Sequence, residues 1–220
     1  MKVPYSFEDI TLSQFMQLHE NEINKSIDKI DKDTKRLSIL SGESIEFIEE
    51  LPFSDRQNFL NKTAYVNTPP TNLKVSKRFR SKGKLLIPTT SLQDMKVNQL
   101  VDFYALLKAA NGEYIKQANV LLAVMFKPFK LIGDTKYSPE NHAKISELLL
   151  SAKVGDCLGL LFFYLDFWKQ CEPRIVHCLT AAQKTIEEAM SEIMNDKEFM
   201  DSLNNGDGNI TSTNAQKTKE

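Results

Sequence analysis

The 220-residue chain predicts a mainly α-helical fold of about eight helices, one arrangement of which is two related helical units joined by a β-hairpin. Three observations lead there. Apolar residues recur at helical spacing through most of the chain, between recognisable caps. A single stretch, Leu73 to Thr89, switches to a period of two around a Ser81-Lys82-Gly83 turn. The third is Leu158 to Trp168, the most apolar run and the site of the only tryptophan. It is rich in leucine and contains no Val, Ile or Thr, which favours helix over strand. It is apolar on nearly every side, so it should be enclosed, by its own domain or partly by another subunit. Burying its nine large side chains is worth on the order of 15–25 kcal/mol, as an upper bound. A membrane span needs about 20 apolar residues, and Asp156 and Asp166 bracket a much shorter run.

The elements follow in order. Residues 2–10 read as extended, with Pro4 blunting any strand. Thr11 caps a first helix, with Gln14 at the capping-box position, and apolar spacing carries it to about Ile30. A helix through Leu37, Ile39 and Leu40 stops at Gly42. Ser44 caps a third, ending at Pro52. Ser54 with Gln57 reads as a second capping box, opening a helix that ends before Pro69-Pro70. Beyond the hairpin, helices run from about Val97 to Ala110 and from Glu113 to Phe126. Gly133 to Lys136 is loop, and Ser138-Pro139-Glu140 starts a helix to about Leu150. The apolar helix spans 154–171, and Pro173 either kinks it or opens a last helix. The domain plan is therefore an N-terminal helical unit (1–70), a basic hairpin (71–92), a C-terminal helical unit (93–203) and a disordered tail (204–220).

The stretch Asp9 to Leu18 can be laid on Asp94 to Phe103. Asp and Gln coincide, and apolar positions match apolar positions. In the same frame, Arg36 to Leu40 falls opposite Leu121 to Met125. Two readings stay open: two related helical units, or two capped amphipathic helices that look alike because all such helices do.

No chemistry is legible. Catalytic, cofactor-binding and metal-binding residues are all expected to be none. Cys157, Cys171 and Cys178 are odd in number and lack the paired short spacing of a zinc site. They read as packing residues in a reducing, intracellular setting. His19 and His142 have no nucleophile context, and His177 stands beside Cys178 alone. No Gly-rich phosphate loop exists. No positively charged start followed by an apolar stretch is visible, so no secretory signal is expected, and Met1-Lys2-Val3-Pro4 leads straight into a folded pattern.

Charge is distributed unevenly despite a formal net charge of -1. No acid stands between Asp55 and Asp94, where Arg56, Lys62, Lys74, Lys77, Arg78, Arg80, Lys82 and Lys84 all lie. A solubilising edge or a protein contact is favoured over nucleic acid, because stacking residues are missing apart from Phe79. The expected protein interface is Lys74, Lys77, Arg78, Phe79 and Arg80 with Phe162, Phe163, Phe167 and Trp168.

The phrases DITLSQFMQL, KRLSILSGES, IEELPFSDRQNFL to NTPP, a basic hairpin and MKVNQLVDFYALL together resemble small tailed-bacteriophage morphogenesis proteins. These include tail-assembly-chaperone-like proteins and neck or portal-proximal virion proteins. The resemblance spans about residues 5–170 and carries over no functional residues. It implies a protein that is not an enzyme and uses no cofactor. Its expected role is an oligomeric ring, neck or tail-associated subunit, binding other phage structural proteins and itself. The alternative is a tail assembly chaperone missing from the mature particle. Either would act in the host cytoplasm during assembly, and the first would persist in the virion. Neither nucleic acid nor membrane is an expected partner.

Overall fold

A computed structural model describes residues 1–68, 70, 73–90, 94–128, 141–170 and 191. The predicted loop at 133–136, the Ser138-Pro139-Glu140 helix start, Cys171, His177, Cys178, the helix after Pro173 and the tail at 204–220 lie outside the described residues. The fold is mainly helical, as the periodicity predicts. Residues 1–166 form one compact unit. In a second unit beginning at Phe167, residues 167–170 and 191 are described, and all are helical.

In the first unit, α1 (Leu12–Ile23), α2 (Lys29–Ser41), α3 (Ile45–Glu49) and α4 (Phe53–Lys62) lead into a 3-10 turn at Ala64–Asn67. Strands β1 (Phe79–Ser81) and β2 (Lys84–Pro88) follow, then α5 (Val97–Ala110), α6 (Ala118–Met125) and β3 (Phe126–Pro128). The last elements are α7 (His142–Leu150) and α8, from 154 to the end of the unit at 166.

Several expectations need correction. The first helix stops at Ile23, not near Ile30. Apolar spacing continues through Ile27 and Ile30, but local polar groups break the chain there. The Asn24 side chain accepts from the Ser26 amide, and Asp28 accepts from the Asp31 amide to cap a new helix. Ser54 does not form a capping box: α4 begins at Phe53, directly after Pro52, with no side-chain cap. The helix expected from Glu113 begins at Ala118, after successive turns. The hairpin is shorter than its alternation suggests, and β3 adds a third strand antiparallel to β2, pairing Leu86 with Pro128 and Pro88 with Phe126. The turn itself holds: Lys82 and Gly83 both have positive φ, 46° and 74°, which suits a tight two-residue hairpin turn.

The core centres on α6. Ala118 and every residue from Leu121 to Phe126 are buried, while α5 and α7 pack on either side. The α1–α2 pair packs with α3 and α7. One device organises both halves. The Gln14 side-chain oxygen accepts from the Thr11 amide at 3.0 Å, and its nitrogen donates to the Ile39 carbonyl at 3.0 Å, 25 residues on. The Gln99 oxygen accepts from the Lys96 amide at 3.1 Å, and its nitrogen donates to the Val124 carbonyl at 3.0 Å, also 25 residues on. Each glutamine thus satisfies an orphan amide at the start of one helix and a carbonyl near the end of the next. Antiparallel helix pairs bring those two ends together. The frame suggested by the sequence is the frame in which these two bonds coincide.

A second contact treats the halves differently. The Leu12 amide donates to the Ala152 carbonyl at 2.9 Å, and the Val154 amide donates to the Ile10 carbonyl at 3.0 Å. Thr11 and Lys153 are thereby paired in an isolated antiparallel bridge. The strap at 152–154, which leads into α8, covers the entry to α1.

Candidate interaction surface

Residues 73–78 alternate in sequence but form no ladder. Their backbone is laid against α8 instead. A Cβ built on Gly159 would collide with the Lys74 carbonyl, so glycine is what lets the segment approach the helix so closely. The Ser76 hydroxyl donates to the Asp156 carboxylate one turn earlier on the same helix. Further along, the Ser81 hydroxyl donates to the Leu148 carbonyl. The buried Tyr164 hydroxyl donates to the Thr89 carbonyl at 2.6 Å. The polypeptide from Lys74 to Thr89 is therefore pinned on one side by α7 and α8.

The other side carries the charge. Lys74, Lys77, Arg78, Arg80, Lys82 and Lys84 are all exposed, and none has an acidic partner among the described residues. The side chain of Phe79 lies outside what is described.

The apolar run is helical, as predicted, but it is not enclosed all round. Leu158, Leu160, Leu161 and Tyr164 are fully buried. Phe162 is 46% exposed and Phe163 37%, although Phe163 sits edge-on to Tyr164 with centroids 5.4 Å apart. Both fall about one helical turn beyond Gly159, where the basic segment crosses. Of the expected interface cations, Lys74 is set against this helix, through its backbone carbonyl over Gly159. Phe167, half-buried, and Trp168, buried, belong to the second unit.

A second exposed region was not legible as a site. Between Glu43 and Asp55 there are five acids, Glu43, Glu46, Glu49, Glu50 and Asp55, and no base. Ile48 is the one residue of the short α3 that reaches the core. Ile45 and Phe47 are left exposed, and Phe53 is 81% exposed. Hydrogen bonds from the backbone and from Ser44 hold the exposed Glu46 carboxyl below its ordinary range. The signal was a five-residue helix with more apolar residues than one face of a single turn can bury.

A groove of about 800 Å³ runs beside the crossing, lined among others by Phe7, Tyr65, Leu73, Lys74, Lys153 and Asp156. Burial, with Asp9 nearby, pushes the Tyr65 phenol up to about 12. Burial also raises the Cys157 thiol well above its ordinary value, with Asp156 adding to the effect, so the thiolate is disfavoured at neutral pH. His142 is pulled down by burial, against an opposing contribution from Asp102. Among the described residues, no three His, Cys, Asp or Glu side chains gather as a metal site would require, and no helix is long and apolar enough to cross a membrane.

Comparison of the chain with protein-family models, with curated proteins and with solved structures gave no match.

Proposed function

We propose that the chain is a non-catalytic morphogenesis protein of a tailed phage, an oligomeric ring, neck or tail-associated subunit that works through protein contacts. The phage assignment rests on the sequence phrases. The contact mode rests on one observation: two exposed regions each carry charge of a single sign. The acidic edge around α3 mixes Glu43, Glu46, Glu49 and Glu50 with exposed Ile45, Phe47 and Phe53. The cationic edge carries six cations with no acidic partner among the described residues, and it crosses α8, the helix that bears exposed Phe162 and Phe163. Two such edges on one chain suit a heterologous, head-to-tail contact between copies, which closes into a ring when the rotation allows. Opposed charges would steer the encounter and the apolar residues would supply the area.

Sedimentation velocity of the purified chain across a salt series tests the contact mode. Assembly should weaken with salt, and Lys77→Glu with Arg80→Glu should abolish it. A monomer at all salt concentrations would reject it. Quantitative mass spectrometry of purified particles separates the two roles. Stoichiometric presence fits a structural subunit. Absence from particles with abundance in infected-cell lysate fits the chaperone alternative.

A further inference from the structure

The two glutamine-clamped helix pairs match in their clamps and differ in their cover. In the first, Leu12 is buried beneath the 152–154 strap, and the Ile10 carbonyl and Leu12 amide are both bonded to it. The matching residues of the second are Met95 and Val97. There the Met95 carbonyl and the Val97 amide have no backbone partner among the described residues. Val97 is 77% exposed, and Val101, one turn on, is 59% exposed. Ala105 continues the stripe and is exposed too. Valine is a poorer helix former than Lys, Glu or Ala, so two solvent-facing valines weaken the helix unless something packs on them.

We propose that Met95 to Val97, with the Val97–Val101 stripe of α5, is a docking site for an extended segment of a different protein. That segment would pair antiparallel with Met95–Val97 as the strap pairs with Ile10–Leu12. Its pattern is apolar–acidic–apolar. The two apolar residues follow from the strap's Ala152 and Val154, whose carbonyl and amide make the bridge. The acidic centre follows from charge. In the first pair the bridge sets Thr11 opposite Lys153. In the second, Thr11 is replaced by exposed Lys96. A lysine-centred strap would put like charges directly opposite each other, which destabilises a pair, and an acid would complement it. This also argues against a second copy. Among the described residues, its Leu73-Lys74-Val75 has the right apolar spacing but presents lysine, its 152–154 strap is already bonded and presents lysine as well, and its Ile45-Glu46-Phe47, which has the right pattern, is wound into α3 and not extended. The inference stands on the clamp geometry and does not require the phage reading.

The probes are two fluorescent peptides spanning 147–156, one native and one carrying Lys153→Glu, titrated against the full chain by anisotropy. The Lys153→Glu peptide should bind about tenfold more tightly than the native one, reflecting attraction in place of repulsion at Lys96. Val97→Pro removes the docking amide and should weaken that binding by about tenfold or more. Proline is tolerated at the first helical position, and Lys96 is already extended at φ -82° and ψ 149°, so the circular dichroism should be unchanged. Val101→Lys serves the same end should Val97→Pro misfold. Equal affinity for the two peptides, no binding at millimolar concentration, or binding indifferent to both variants would overturn the proposal. Wild-type self-association that Val97→Pro abolishes would overturn it as well, by making a second copy the occupant.

Discussion

The α1–α2 pair and the α5–α6 pair are closed by the same glutamine bond in the same frame, yet they sit in different surroundings. In the first, α2 keeps a solvent side: Lys29, Ile30 and Asp31 are exposed while Leu37 and Leu40 are buried. In the second, α6 is buried from Leu121 through Met125. The covers are reversed. Leu12 at the start of α1 lies under the strap, whereas Val97 at the start of α5 is open. Local hydrogen bonding can therefore be copied between two halves while burial is set by what each half packs against. The cost of altering matched residues should report that difference.

The largest contrast is at Leu37 and Leu122, matched in the repeat frame and both fully buried. Leu122→Ala should cost about 4 kcal/mol, because α6 is held on all sides and a cavity there cannot collapse. Leu37→Ala should cost about 2.5 kcal/mol, because a helix with one free side can settle into the void. Urea unfolding of the two variants measures both, and equal losses would break the comparison. The clamps come next. Gln99 is fully buried, so Gln99→Ala strands the Val124 carbonyl in the core and should cost about 2–3 kcal/mol. Gln14 is half-buried, and water can reach what it leaves, so Gln14→Ala should cost about 1 kcal/mol.

Much of this was legible in the sequence. The Thr11–Gln14 box, the Ser44 cap, the left-handed stop at Gly42 and the Lys82-Gly83 turn are local chemistry, and each stands where the residues place it. The coincidence of Gln14 with Gln99 was visible as well, but its meaning lies in a bond reaching 25 residues along the chain, which helical periodicity does not report. The misread break after Ile23 has a local cause. Apolar spacing through Ile23, Ile27 and Ile30 persists across a turn made by Asn24 and Asp28, and periodicity alone passes over it. In sequence, Gly159 merely interrupts an apolar run. Its role depends on a backbone crossing from Lys74, which only tertiary structure supplies. The expected interface was half legible: charge named the exposed cations, but no pattern in the run from Leu158 to Trp168 told that Phe162 and Phe163 face out while Tyr164 faces in.

A smaller contrast concerns Met16 and Val101, again matched positions. Val101 faces solvent, so Val101→Lys should change stability by no more than about 0.5 kcal/mol, with the better helix former offsetting any lost contact. Met16 is half-buried beside Leu150, so Met16→Lys should cost about 1 kcal/mol.

A last contrast appears only at alkaline pH, and it reads the two halves separately. Tyr65 packs edge-on to Phe7, with centroids 5.3 Å apart, near α1. Tyr164 packs against Phe103 of α5 at 6.1 Å. Burial raises both phenols, Tyr65 to about 12 and Tyr164 further. The sign follows from linkage. Above the ordinary tyrosine value near 10, the unfolded chain releases these protons while the folded chain keeps them, so the folded state binds more protons and stability falls as pH rises. Tyr65 should contribute to this loss from pH about 10 until it ionises near 12, and Tyr164 should go on contributing beyond that. Followed by phenolate absorbance, Tyr65→Phe should remove an early step and Tyr164→Phe a late one. A single step unaffected by which tyrosine is replaced would mean that the two halves open together, and the contrast in their burial would then have no counterpart in how they come apart.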